Sequence, residues 1–293
     1  MQLTRRALLR LGLLGLAGGL GGWGYVESRA VVLEQVAVPL TRLPAAFDGL
    51  RIAQITDIHS GTLVPPALIR KGVGLVKEAR PDLIVLTGDF VTGATLFGRG
   101  RVGRFKVDHF NALLSELEGL EAPWGVFAVL GNHDFWSGAE ATAAIESGLT
   151  RVGVRVLRNE HVRLEKDGAG LVLAGVDDYW ESSYKLSGAL QGRPDEVCVL
   201  MSHNPDVNED VEVSGARIDL IVSGHTHGGQ VVLPVVGAPY MPSGFGQRYR
   251  VGLVRDGDRL TYVSRGLGLF FVPLRLNCPP EVTILTLRRP DTI

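Results

Sequence analysis

A chain of 293 residues that is 45% hydrophobic and 21% charged, with 38 glycines and 15 prolines, is a folded protein with material for a sizeable core, not a disordered or collagen-like one. Its formal charge is −1, and because Arg5, Arg6, Arg10 and Arg29 face only Glu27 in the first thirty residues the rest carries −4, so no basic footprint for duplex nucleic acid is visible. Two cysteines rule out a disulfide framework and a thiolate zinc site, and the length suits either two average domains or one large α/β domain.

The chain opens on an address. Arg5 and Arg6 follow Thr4, an uncharged Leu/Gly-rich run extends from Leu11 to Tyr25, and Ser28-Arg29-Ala30 supplies a small-x-small end. The run is short and glycine-rich for a spanning helix, which needs ~20 apolar residues, whereas a charged start, apolar middle and small end describe an export signal. The paired arginines resemble a twin-arginine signal, which implies the twin-arginine translocase as partner and a destination in the cell envelope or periplasm. The competing readings are Sec-type export and an uncleaved anchor at the cytoplasmic membrane, which could leave the protein on the cytosolic face. Residues 1–30 are set apart on this ground, and 31–293 is read as a single domain.

Beyond the address, strands and helices alternate. Leu50–Thr56, Leu83–Thr87 and Val126–Leu130 are short apolar runs of buried-strand type, and Val154–Leu157 follows them. Between them Pro65–Ala79, Val107–Leu117 and Ala139–Leu149 have helical apolar spacing. The period then shifts towards two, giving strands at His161–Leu164, Leu171–Val176, Val197–Met201, Ile218–Val222, Val231–Leu233, Leu260–Ser264 and Val282–Leu287. The pattern predicts an α/β protein of stacked sheets flanked by helices. No repeat or linker is visible, and the one low-complexity stretch is residues 98–104.

Chemistry collects just after the predicted strands. Asp57-Ile58-His59, Gly88-Asp89, Gly131-Asn132-His133-Asp134, His203 and Gly224-His225-Thr226-His227 each follow an apolar run. In open α/β sheets, loops at the carboxyl ends of strands converge on one edge, so five remote segments can face one point. Carboxylates and imidazoles without thiolate suit Mn, Fe or Zn. The two-residue spacings of Asp57-x-His59 and His225-x-His227 would put each pair on one side of an extended segment. One metal cannot use so many donors. Two divalent ions can if a carboxylate bridges, and Asp89, alone at its strand end, is the natural bridge; such ions, roughly 3.5–4 Å apart, can trap a hydroxide and clamp a phosphoryl group. With Asp57, Asp89 and a hydroxide set against them, the centre would keep a charge of about +1, enough to hold a phosphate oxygen. Gly88 and Gly131 precede donors, where a tight strand-to-loop turn favours glycine.

In that order these motifs resemble the calcineurin-like metallophosphoesterase superfamily, from about Leu43 to Leu287. Gly228-Gly229-Gln230 and Ser264-Arg265-Gly266-Leu267-Gly268 resemble its bacterial exported or membrane-associated phosphodiesterase branch. The resemblance implies a four-layer αββα sandwich of two mixed sheets. It places Asp57, His59, Asp89 and His227 on one metal and Asp89, Asn132, His203 and His225 on the other. His133 would protonate the leaving oxygen, with Asp134 orienting its imidazole; Asp134 could instead cap the helix that follows or bond its own loop. The reaction implied is hydrolysis of a phosphodiester or pyrophosphate, lipid-linked in one version, by attack of metal-bound hydroxide. A lipid-linked UDP-sugar pyrophosphatase of the UDP-2,3-diacylglucosamine hydrolase type is the alternative within this chemistry. A non-catalytic metal-binding partner protein is the alternative class, against which the intact donors and His133 speak.

Other features take weaker assignments. Arg99, Arg101, Arg104 and Lys106 form a basic loop that would either grip a second phosphate or lipid headgroup or remain solvated. Phe270-Phe271 with Val272 would be a lip for an acyl chain or membrane, or else core. Tyr240, Phe245 and Tyr249 would line the substrate entrance or pack their own loop. Asp177 and Asp178 are expected to serve a turn, Cys198 to be buried, and His109 and His161 to take ordinary positions.

Overall fold

The computed structural model describes residues 18–92, 105–181, 183–270 and 272–290. Helix α1 is seen over residues 18–27. The strands follow as β1 (Val32–Pro39), β2 (Arg51–Ile55), β3 (Leu83–Thr87), β4 (Val126–Val129), β5 (Val154–Val156), β6 (Glu160–Lys166) and β7 (Ala169–Gly175). They continue as β8 (Val197–Met201), β9 (Leu220–Ser223), β10 (Gly252–Asp256), β11 (Arg259–Val263) and β12 (Glu281–Arg288). The first sheet has the order β1-β12-β2-β3-β4-β5 and the second β10-β11-β9-β8-β7-β6. Both are mixed: β2 to β5 run parallel while β12 opposes β2, and β7, β8, β9 and β11 run parallel between antiparallel edges β6 and β10.

Strand periodicity sorts the apolar side chains into two faces. In β3, Leu83 and Val85 point between the sheets, where they meet Leu171 and Leu173 of β7, Val199 and Met201 of β8, and Val222 of β9. Ile84 and Leu86 point outward onto helices α2 (Pro66–Ala79), α3 (Val107–Leu117) and α5 (Ala139–Arg151). The outer face of the second sheet, including Val172, Cys198, Leu200 and Ile221, is covered by α6 (Leu186–Leu190) and α7 (Asn208–Ser214). The result is the expected αββα stack. In α3 the buried residues Phe110, Leu113, Leu114 and Leu117 make one stripe at i, i+3, i+4 and i+7. Proline at the start of α2 and left-handed Arg80 at its end fix that helix's limits.

Several elements differ from the sequence reading, among them strands β1 and β10, which it did not predict, and the two that follow. Val231–Leu233 makes only isolated bridges, Val231 with Leu276 and Leu233 with Gly237, because Gln230 turns through φ 54° before it and Pro234 follows. Helix α1 is docked: Arg275 N–H donates to the Gly24 carbonyl at 2.9 Å, Cys278 N–H donates to the Glu27 carboxylate, and Ser28 is fully buried. Among the described residues no helix is long and apolar enough to cross a membrane.

Candidate metal centre

Asp57 and His59 follow β2, Asp89 follows β3, and Asn132, His133 and Asp134 open the short helix α4 (Asn132–Trp136) directly after β4. His203 follows β8, and His225 and His227 follow β9. All nine expected residues are buried, and the sheet order places their strand ends together. The loops stay laced beyond the strands: Asp57 N–H bonds the Gly88 carbonyl at 3.0 Å, His59 N–H the Asp89 carbonyl at 2.9 Å, and Gly224 N–H the His203 carbonyl at 3.0 Å.

The donor atoms converge. His227 Nε2 lies 3.3 Å from Asp57 Oδ1 and 3.0 Å from His59 Nε2. Asp89 Oδ2 lies 3.4 Å from His59 Nε2 and 3.2 Å from His203 Nε2. His203 Nε2 is also 3.2 Å from Asn132 Oδ1 and 3.2 Å from His225 Nδ1. Three overlapping triads, Asp57–His59–His227, His59–Asp89–His133 and Asp57–Asp89–His203, each keep their donor atoms within 4.8 Å of one another. Asp89 stands in two of them, between the donors of both sheets.

The D-x-H segments are not extended. Asp57 (φ 52°), His59 (47°), Asp89 (56°), His225 (70°) and His227 (50°) all take positive φ, a region that costs a non-glycine residue about 1–2 kcal/mol. The turns, not strand alternation, aim these side chains, and His225 and His227 reach different neighbours: His225 meets His203, and His227 meets Asp57 and His59. Close approach also sets the glycines. A Cβ on Gly131 would lie 2.3 Å from Asp89 Oδ1, and one on Gly224 would lie 2.2 Å from Asp57 Oδ2.

Burial shapes the electrostatics. It raises Asp57 to about 6 and lowers His59 to about 3, and it lowers His225 and His227 strongly, so these imidazoles are held neutral with lone pairs available. His203 is the exception: burial opposes its charge, but Asp89, Asp57 and Asp178 push it well above the ordinary histidine range. Its Nδ1 sits 2.7 Å from the Thr87 carbonyl, which fixes the ring and turns Nε2 towards Asp89. Clustered carboxylates that demand positive charge, facing neutral imidazoles, form a donor set that fits divalent cations.

The expected contact of Asp134 with the His133 ring is not made. Its carboxylate accepts from the backbone N–H groups of Asp89 (2.9 Å), Phe90 (2.9 Å), Val91 (3.3 Å) and Gly131 (2.9 Å). An acid at the third position of α4 reaches back to the cap residue, and here it also clamps the β3 loop to the β4 loop. Burial, then the charge of Asp89, raises Asp134 to about 8, against the pull of those amides. His133 Nδ1 is buried without a hydrogen-bond partner, and burial lowers the pKa of the ring.

Aromatic walls flank the centre. Phe270 lies nearly parallel to His227 at 5.8 Å and edge-on to His133 at 5.3 Å. On the other side Trp180 meets His225 edge-on at 4.4 Å and stacks on Trp136, which lies 5.2 Å from His133. The tryptophans were not singled out in the sequence; their placement just past β7 and one helical turn after Asn132 was the available signal. Tyr240 lines a cavity beside His227, but Phe245 and Tyr249 line a separate one with Asn208 and Arg255. Tyr249 donates to Asp256 at 2.8 Å, which draws it away from any entrance. Asp178 accepts Trp180 N–H at 2.9 Å in a turn, while its Oδ2 is buried without a partner. Asp177 pairs with Arg158, Cys198 is fully buried, and His109 and His161 sit half-buried on α3 and β6. Arg99, Arg101, Arg104 and Phe271 lie outside the described residues.

A buried cluster of acids and imidazoles at the joined carboxyl edges of two stacked mixed sheets makes a candidate metal-binding centre. Residues 50–229 match the family described as calcineurin-like phosphoesterase, and the chain belongs to it. It is 32% identical over 282 residues to YkuE of Bacillus subtilis (strain 168), described as an uncharacterized metallophosphoesterase, covering 96% of this chain and 93% of that protein. It is 35% identical over 237 residues to phosphodiesterase YaeI of Escherichia coli (strain K12), covering 81% of this chain and 82% of that one. Among solved structures, the Thermus thermophilus sulfate thiohydrolase SoxB aligns with a TM-score of 0.47 at 14% identity, over 84% of this chain and 57% of SoxB.

Proposed function

We propose that the protein is a phosphodiesterase whose centre holds two divalent ions, with Asp89 shared between them. The observation that carries this reading is the position of Asp89 within about a hydrogen-bond length of both His59 and His203, at 3.4 and 3.2 Å, midway between two donor groups. Asp57, His59 and His227 complete one group, and Asn132, His203 and His225 the other. Bound there, the ions supply Lewis-acid polarisation of the phosphoryl group and acidify water. The chain's own residues do the rest. The buried loops hold the donors at fixed angles, Trp136, Trp180 and Phe270 narrow the approach, and the His133 imidazole delivers a proton to the departing ester oxygen. The match to phosphodiesterase YaeI supports a diester as substrate class.

The test is hydrolysis of bis-p-nitrophenyl phosphate by protein stripped with chelator and reloaded with Mn²⁺. The reading expects activity that disappears on stripping and returns with the ion. Turnover that survives full stripping contradicts it.

For residues 1–30 the twin-arginine-type export signal is retained as the reading, with an uncleaved anchor at the cytoplasmic membrane as the alternative that one observation favours. That observation is the docking of α1 on Arg275 and Cys278, contacts that cleavage after Ala30 would discard. N-terminal sequencing of membrane-fraction protein checks it. A mature chain beginning at Val31 would refute retention.

A further inference from the structure

Beside His227 a cavity of about 220 Å³ opens towards solvent. Val231, Pro239, Pro242, Phe270, Val272 and the ring of Tyr240 form its apolar lining, and among the described residues no carboxylate, lysine or arginine faces it. Of the polar side chains in its wall, Gln230 and Thr226 are already engaged with backbone groups. Gln230 Nε2 donates to the carbonyls of Phe270 (2.6 Å) and Val272 (3.1 Å) while its Oε1 accepts Phe270 N–H (2.7 Å). Thr226 Oγ1 donates to the Arg250 carbonyl at 2.8 Å. The same Gln230 bonds fix the wall, since they tie Phe270 and Val272 to the loop after β9. Phe270, stacked on His227 and edge-on to His133, is the partition between cavity and donor cluster. Tyr240, 58% exposed, and Val272, 40% exposed, stand at the mouth.

We propose that this cavity takes an uncharged, apolar ester arm, alkyl or aryl, of the phosphorus compound held at the metal centre. The proposal rests on the phosphodiesterase reading and adds the class of the ester. A dry cavity of roughly 150 Å³ accommodates benzene, so this one has room for a phenyl ring or a short alkyl chain. A second phosphate or a polyhydroxylated sugar would lose its hydration here and meet no cationic side chain, with the Gln230 and Thr226 side chains already bonded to the backbone. His227 is both a donor of the centre and a wall of the cavity, so an arm seated there remains attached to phosphorus at the ions.

The experiment is calorimetric titration of the full-length, Mn²⁺-loaded protein with methyl-, hexyl- and phenylphosphonate, which bind without turnover. Hexyl- and phenylphosphonate are expected to bind roughly 10–100-fold tighter than methylphosphonate, with a negative heat-capacity change. In Val272→Asp and in Tyr240→Asp that ratio collapses to within about 3-fold. The ratio is internal to each protein, so a fractional loss of folded material does not imitate the effect. Equal binding of the three ligands by the native protein, no binding of any, or a ratio intact in both variants overturns the proposal. Hydrolysis of bis-p-nitrophenyl phosphate is measured on the same sample. Apolar preference without hydrolysis keeps the cavity assignment and removes the phosphodiesterase reading. Hydrolysis without preference does the reverse.

Discussion

The two sheets contribute unlike halves of one centre. The first supplies the oxygens, from Asp57, Asp89 and Asn132, with the imidazoles of His59 and His133; the second supplies imidazoles only, from His203, His225 and His227. The oxygen-rich half is stitched by backbone clamps, with Asp134 gathering four amides from two loops, whereas the imidazole half leans across onto it: His203 bonds the Thr87 carbonyl and His225 N–H bonds both oxygens of Asp57 at 3.0 Å. The site exists only while the inter-sheet core of Leu83, Val85, Leu173, Val199 and Val222 keeps the two edges facing each other.

The sharpest way to break that division is Asp89→Ala, which removes the oxygen touching both halves; metal uptake and hydrolysis of bis-p-nitrophenyl phosphate should both be lost, read by elemental analysis and initial rates. Next is His133→Ala, which takes away the proposed proton donor and no proposed ligand. Turnover should fall by about 10²–10⁴-fold while bound metal is retained, and unchanged turnover would remove His133 from the chemistry. Asp134→Ala separates clamp from chemistry. It leaves buried amides unpaired at a cost of about 1–3 kcal/mol, so the melting temperature should drop by several degrees and metal affinity by about 10–100-fold. If melting and metal affinity are untouched and only the pH profile moves, Asp134 acts through His133 after all. The smallest effect concerns the second sheet's outer face. Burial pushes Cys198 up to about 12, so its thiol stays protonated and resists alkylation by iodoacetamide in the native state, reacting only after unfolding.

Much of this was readable in the sequence because strand ends carry the chemistry. Apolar runs of four and five residues mark β3 and β8, and a donor follows within two residues of each strand. Less was readable where tertiary contact overrides local pattern. Asp57-x-His59 looks like a strand continuing, yet positive φ at both residues turns it, and that conformation is held by neighbouring loops rather than by local preference. Asp134 sits beside His133 in sequence, but its amide partners lie 43 to 45 residues away, apart from Gly131. Strand β1 alternates Leu33, Gln35 and Ala37 against Val36 and Val38 with a largely half-exposed pattern, the weak signature of a sheet edge. The aromatic walls come from three separate segments and gain meaning only once the fold joins them.

The most direct test of the shared centre is the stoichiometry of Mn²⁺ bound to chelator-stripped, refilled full-length protein, followed by calorimetry and elemental analysis. The account predicts two ions per chain, with hydrolysis of bis-p-nitrophenyl phosphate rising as the second ion binds. One ion per chain at full activity, or none at saturating Mn²⁺, would contradict it.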